Sequence, residues 1–202
     1  MAKLYFKYGA MGAAKSAQAL VTKFNYEERG MRCWLIKPAV DTRGSIYKVA
    51  SRIGIDSECE PISEHLNIVD LYKAFPASEK PGVVIADEAQ FFTVDQIDQL
   101  RELVDITDTA VLCFGLRTDF RTKLFPASAR LMEVADSIEE IKTMCECGKK
   151  ATVNARLDPN GNIVTEGDQV EIGGNDRYQA MCHRCYAEML SQQQMMFASL
   201  GR

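Results

Sequence analysis

Between an apolar stretch, Leu4-Tyr5-Phe6, and a segment whose apolar residues recur at helical spacing (Ala17, Leu20, Val21, Phe24) lies Gly9-Ala10-Met11-Gly12-Ala13-Ala14-Lys15-Ser16. A strand, a turn of small residues and a helix, with Lys and Ser closing the turn, nearly fits the phosphate-loop pattern. The small residues let successive backbone N–H groups point at phosphate oxygens, and the helix N-terminus adds partial positive charge. Lys15 suits the β- and γ-phosphates of a nucleotide and Ser16 suits magnesium. Ala14 stands where the usual pattern has its second glycine, which alanine tolerates if its φ stays negative.

A chain built on such a loop needs further parallel strands beside the first. The β-branched and apolar runs Met31 to Ile36, Gly82 to Ala86 and Thr109 to Gly115 supply them, each bounded by Gly or Pro or by helical spacing. Thr93 and Gln96 match a capping box, and Ile97, Leu100 and Val104 then share one helical face. Strands alternating with helices predict an α/β fold: a P-loop (RecA-like) parallel sheet with helices on both faces. Asp87 and Glu88 follow the run ending at Ala86, so two carboxylates stand at the C-terminal end of a strand, where such sheets bind ligands. This resembles a Walker B motif, with Asp87 for magnesium and Glu88 to orient or deprotonate an attacking hydroxyl.

The pattern changes near residue 145. Cys145-Glu146-Cys147 and Cys182-His183-Arg184-Cys185 are two close pairs separated by 34 residues, with a hairpin signal at Asp158-Pro159-Asn160-Gly161 and a glycine-rich loop between them. The division predicted is 1–144 for nucleotide binding and 145–202 for a small zinc-binding, β-rich module with a glycine-rich loop and a C-terminal helix. Four thiolates suit a closed, structural zinc site, and so small a module gains from one. Because the first pair has a single intervening residue, His183 is a reserve ligand; unligated thiols or a redox pair are the other readings. Cys33 and Cys113 read as small core residues, and the Met189, Met195 and Met196 series as a packing face of the last helix.

Charge decides what else to exclude. Lys plus Arg number 24 against 28 Asp plus Glu, a net charge of −4 with no basic run, which disfavours a nucleic-acid partner. The longest apolar runs fall far short of a membrane span, and the N-terminal residues carry no secretory-signal pattern, so a cytoplasmic protein is expected.

Taken together, YGAMGAAKS (8–16), ADEAQFF (86–92), GLRTDF (115–120), EGDQVEIGGNDRY (166–178) and the cysteine pairs make the chain similar to the type II thymidine kinase family over nearly its whole length. The resemblance implies ATP-dependent phosphorylation of thymidine, and of deoxyuridine, at the 5′-hydroxyl. ATP and magnesium would be held by residues 9–16 (Gly9, Ala10, Met11, Gly12, Ala13, Ala14, Lys15, Ser16) together with Asp87, Glu88, Ala89 and Gln90. Glu88 would be the base, with Lys15 and Arg43 stabilising the transferred phosphoryl group. Phe91 and Phe120 would pack on the thymine ring, although on residue type alone both are equally core aromatics. Met11 and Leu116 would line the methyl pocket, while Tyr178 and the backbone of the lasso residues Glu171, Ile172, Gly173 and Gly174 would complete the nucleoside site. Cys145, Cys147, Cys182 and Cys185 would hold structural zinc. The family further implies a homotetramer inhibited by thymidine triphosphate. A rival reading is a nucleotide-binding regulatory module whose zinc hairpin binds a protein partner without nucleoside turnover.

Overall fold

A computed structural model of the chain describes residues 1–42, 44–169 and 177–200. The strands are β1 (Leu4–Tyr8), β2 (Cys33–Pro38), β3 (Lys48–Ala50), β4 (Asp56–Glu58), β5 (Glu60–Ile62), β6 (Val83–Ala86), β7 (Ala110–Gly115), β8 (Ser137–Glu140), β9 (Val153–Arg156) and β10 (Tyr178–Met181). The helices are α1 (Lys15–Glu27), α2 (Ile68–Ala74), α3 (Val94–Thr107), α4 (Pro126–Val134) and α5 (His183–Leu200). Six strands form one sheet in the order β5-β2-β6-β7-β1-β8, parallel throughout. The expected parallel α/β architecture is therefore present.

Period-two alternation sorts each central strand between two cores. Leu4, Phe6, Val84, Ala86, Val111 and Cys113 face one side, where α2, α3 and α4 bring Ile68, Tyr72, Ile97, Leu100 and Leu131. Val83, Ile85, Leu112 and Phe114 face the other, against Ala19 and Leu20 of α1 and Val49 of β3. Both faces are covered, which is why these strands read as nearly continuous apolar runs. A fully buried side chain such as Leu100 or Phe114 contributes roughly 1.5–3 kcal/mol.

Local chemistry sets the element ends. Thr93 Oγ1 accepts the Gln96 N–H at 3.1 Å and Gln96 Oε1 accepts the Thr93 N–H at 3.1 Å, completing the expected capping box at the start of α3. Asn67 caps α2 by accepting the Asp70 N–H. The second strand runs Cys33–Pro38, two residues beyond the expected span: Pro38 lacks an N–H but closes the strand at its last position, where the ladder is ending.

A third apolar cluster gathers Cys145, Ala151, Val153, Ala155, Ile163, Met181, Cys182 and Tyr186 around the antiparallel pair β9–β10 and the start of α5. The hairpin signal at residues 158–161 is a turn, bridged by Leu157 and Ile163. Met189 and Leu190 pack against this cluster, but Met195 and Met196 are exposed, so the expected packing face of α5 ends about a turn after Leu190. No helix among the described residues is long and apolar enough to cross a membrane.

Candidate active site

The carboxyl ends of β1, β2, β6 and β7 converge on a cleft of about 300 Å³. One wall is the turn after β1. Gly9 is required there by close approach: a Cβ would stand 2.4 Å from the Ile141 carbonyl oxygen. Gly12 and Ala14 are both left-handed, at φ 78° and 56°. The condition on which alanine would suit this loop, a negative φ, is therefore not met: Ala14 is the N-cap of α1 and sits in the left-handed region. The N-cap residue Ala14 makes no side-chain cap, leaving the N-terminal dipole of α1 directed at the cleft for an anion. The Lys15 ammonium donates to the carbonyls of Gly9 and Ala10 at 3.1 and 3.0 Å, curled back over the loop.

A left-handed alanine is strained by roughly 1–2 kcal/mol, part of which glycine recovers. Ala14→Gly is expected to raise the melting temperature by roughly 2–4 °C, read by thermal denaturation without nucleotide. A lower melting temperature would mean that Ala14 contributes packing that outweighs its strain.

Asp87 and Glu88 face this loop from the end of β6. Asp87 is buried, and its Oδ1 finds no hydrogen-bond partner among the described residues. Burial, and then the Glu88 charge beside it, push the Asp87 carboxyl up to about 7. The Ser16 hydroxyl, the Glu88 N–H and the Lys15 charge act in the opposite direction. A buried carboxylate oxygen with no partner, next to a serine hydroxyl, is a donor set that fits magnesium. Glu88 is itself left-handed, at φ 51°, a backbone state that concentrates at functional positions.

Met11, Gly12, Ala14, Lys15, Ser16, Asp87, Glu88 and Leu116 all line the cleft. Gly9, Ala10, Ala13, Ala89 and Gln90, also expected among the cofactor residues, do not; Ala89 and Gln90 are buried behind Glu88. Phe91 meets Phe125 edge-on at 5.8 Å. Phe120 is wholly buried, with the Arg156 guanidinium 3.7 Å from its ring centroid. Arg156 also donates from Nε to the Tyr178 hydroxyl at 2.9 Å and from Nη2 to the Asp168 carbonyl at 2.9 Å, joining Phe120, Tyr178 and the start of the lasso in one stack. Arg43 and the lasso residues Glu171, Ile172, Gly173 and Gly174 lie outside the described residues.

Several polar residues at the site escape sequence reasoning. Lys37, 2% exposed at the end of β2, donates to Asp41 at 3.3 Å and to the Ser45 carbonyl at 3.0 Å. A lysine near the end of the apolar run CWLIKP was the signal available for it. The β3–β4 hairpin adds Lys48, Ser51 and Arg52 to the cleft wall. Asn154 on β9 accepts the Met11 N–H at 2.7 Å and donates to the Thr118 carbonyl at 3.2 Å, tying the phosphate-loop turn to the second half of the chain. Neither Asn154 nor Arg156 carried a sequence signal, since their partners lie far away along the chain.

The sulfur atoms of Cys145, Cys147, Cys182 and Cys185 all lie within 4.8 Å of one another. Tetrahedral zinc with Zn–S bonds of about 2.3 Å separates its sulfurs by about 3.8 Å, and the Cys147–Cys182 sulfurs are 3.6 Å apart. The single residue between the first pair therefore does not keep either thiol out, and His183 is not part of the cluster.

The chain is similar to thymidine kinases of known name. It is 44% identical to that of Agrobacterium fabrum over 93% of this chain and 97% of the relative. It is 45% identical to that of Vibrio vulnificus over 94% and 99%, and 45% identical to that of Novosphingobium aromaticivorans over 95% and 100%. A family model described as thymidine kinase matches residues 2–186, which takes in the phosphate-loop turn, the acidic pair and all four clustered cysteines. On that match and those identities, the chain belongs to the thymidine kinase family.

Proposed function

We propose that the chain transfers the γ-phosphoryl group of MgATP to the 5′-hydroxyl of thymidine, and of deoxyuridine, with Glu88 as general base. The observation that carries this reading is that one cleft brings together Lys15, Ser16, Glu88 and Asp87, whose buried Oδ1 has no hydrogen-bond partner among the described residues. Lys15 would exchange the loop carbonyls for phosphate oxygens, and Ser16 and Asp87 would hold magnesium, which would supply charge neutralisation at the phosphates. Arg43 adds a second cation at the transferred group. Glu88 takes the proton of the 5′-hydroxyl as its oxygen attacks in line, so that alignment and charge stabilisation supply most of the acceleration.

The nucleoside is assigned to the side of the cleft bounded by Met11 and Leu116, with Phe91, Phe120 and Tyr178 forming the aromatic surroundings of the base. On the family resemblance, backbone groups of Glu171, Ile172, Gly173 and Gly174 would hydrogen-bond the base; Arg156 stacks on Phe120 and bonds the Asp168 carbonyl beside them in the chain. Residues 145–202 are read as a module held by structural zinc on the four cysteines, and residues 1–144 as the nucleotide-binding part. A cytoplasmic homotetramer inhibited by thymidine triphosphate completes the proposal, on family grounds.

The test is ADP release with MgATP and a nucleoside panel of thymidine, deoxyuridine, deoxycytidine and deoxyguanosine, beside Lys15→Ala. Turnover with thymidine and deoxyuridine alone, lowered by about 10²–10³ or more in the variant, is expected. ATP binding with no turnover on any nucleoside would favour the regulatory reading instead.

A further inference from the structure

Gln90 is buried, 3% exposed, directly behind the cleft, and both ends of its side-chain amide are engaged. The Leu116 backbone N–H, just past the end of β7, donates to Gln90 Oε1 at 2.9 Å. That contact assigns the amide: an N–H can only donate, so the oxygen must face Leu116 and the NH₂ must face the other way. On that other side Nε2 donates to Glu88 Oε2 at 2.6 Å. The neighbouring strand leaves room for this bridge, because a Cβ on Gly115 would lie 2.7 Å from Gln90 Oε1. Leu116 is fixed in turn, its carbonyl accepting the Ser128 hydroxyl of α4 at 2.6 Å.

From this geometry we propose that Gln90 is a positioning residue, holding the Glu88 carboxylate in one orientation by tying it to the backbone at the end of β7. The proposal rests on Glu88 being the base. A carboxylate on a left-handed residue at the mouth of a cleft has several rotamers within reach. A short hydrogen bond from a buried amide, itself locked by a backbone donor, selects one of them. Gln90 touches neither nucleotide nor nucleoside in this scheme and acts only through Glu88.

The measurement is a double-mutant cycle on the full chain with Gln90→Leu, Glu88→Gln and the two combined, reading kcat and the KM for MgATP and thymidine, with thymidine binding by calorimetry. Gln90→Leu is expected to lower kcat by about tenfold or more with both KM values nearly unchanged. In the Glu88→Gln background the same change is expected to have no further effect. Gln90→Met keeps the length of the side chain and loses the donor toward Glu88 without adding a charge, so it is expected to slow turnover in the same way, and it carries the test if Gln90→Leu does not fold. Full kcat in Gln90→Leu or Gln90→Met, or an equal loss with and without Glu88, would overturn the positioning role while leaving Glu88 as base. Full turnover by Glu88→Gln alone would overturn both.

Discussion

Glu88→Gln is expected to lower kcat by about 10²–10⁴, while the KM for MgATP rises by no more than about threefold, as for a group acting only in the transition state. The substitution removes a proton acceptor and little else. An amide has nearly the shape of the carboxylate, its oxygen still accepts from Gln90 Nε2, and the left-handed backbone at position 88 is unchanged. Asp87, Ser16 and Lys15, the groups assigned to the phosphates and magnesium, keep their places. Nucleotide binding should therefore survive when turnover does not, and that split is what steady-state kinetics beside nucleotide titration would reveal. A matching loss of nucleotide affinity would instead place Glu88 among the metal-holding groups. Undiminished turnover would leave in-line alignment to act without a base, which a loose phosphoryl-transfer transition state permits.

What could be read from the residues was what local chemistry encodes. The turn between β1 and α1, the capping box at Thr93 and Gln96, and the acidic pair after β6 each depend on neighbours within a few positions. The four-thiol cluster was legible for a related reason, since each pair is close in sequence and only the meeting of the pairs is tertiary. Edge strands escaped notice because they are short and weakly patterned: β5 is Glu60-Pro61-Ile62, and β8 begins Ser137-Ile138-Glu139 with Ile138 exposed. The β3–β4 hairpin, with its lysine, serine and arginine on the cleft wall, has only three paired residues per strand and a polar sequence. The left-handed φ of Ala14 has no signature in the residue itself, because alanine ordinarily prefers a negative φ. Polar bridges such as Asn154 to Met11, 143 residues apart, have no local signature.

Removing the metal proposed for the four cysteines is expected to unfold the second half of the chain and leave the parallel sheet standing. Cys145, Ala151, Val153, Ala155, Ile163, Met181, Cys182 and Tyr186 are the buried members of that cluster, and two of the eight are themselves proposed ligands. So few apolar side chains cannot offset the conformational entropy of ordering the strands and turns around them, and in such modules metal affinity becomes folding free energy. The six-stranded sheet has two cores of its own and needs no such help. Cys182→Ser should accordingly lower bound zinc from one ion per chain to near zero, measured by elemental analysis. Limited proteolysis should then cut within 145–202 before it cuts elsewhere. Thymidine turnover should fall by about 10²-fold or more, because Arg156 and Tyr178 lie on β9 and β10, which the cluster secures. ATP affinity should change far less, since Lys15, Ser16 and Asp87 belong to the sheet. A Cys182→Ser protein that retained stoichiometric zinc and the wild-type cleavage pattern would remove the metal from the argument. The strands would then be held by their apolar contacts, their own ladder and polar bridges such as those of Asn154 and Arg156.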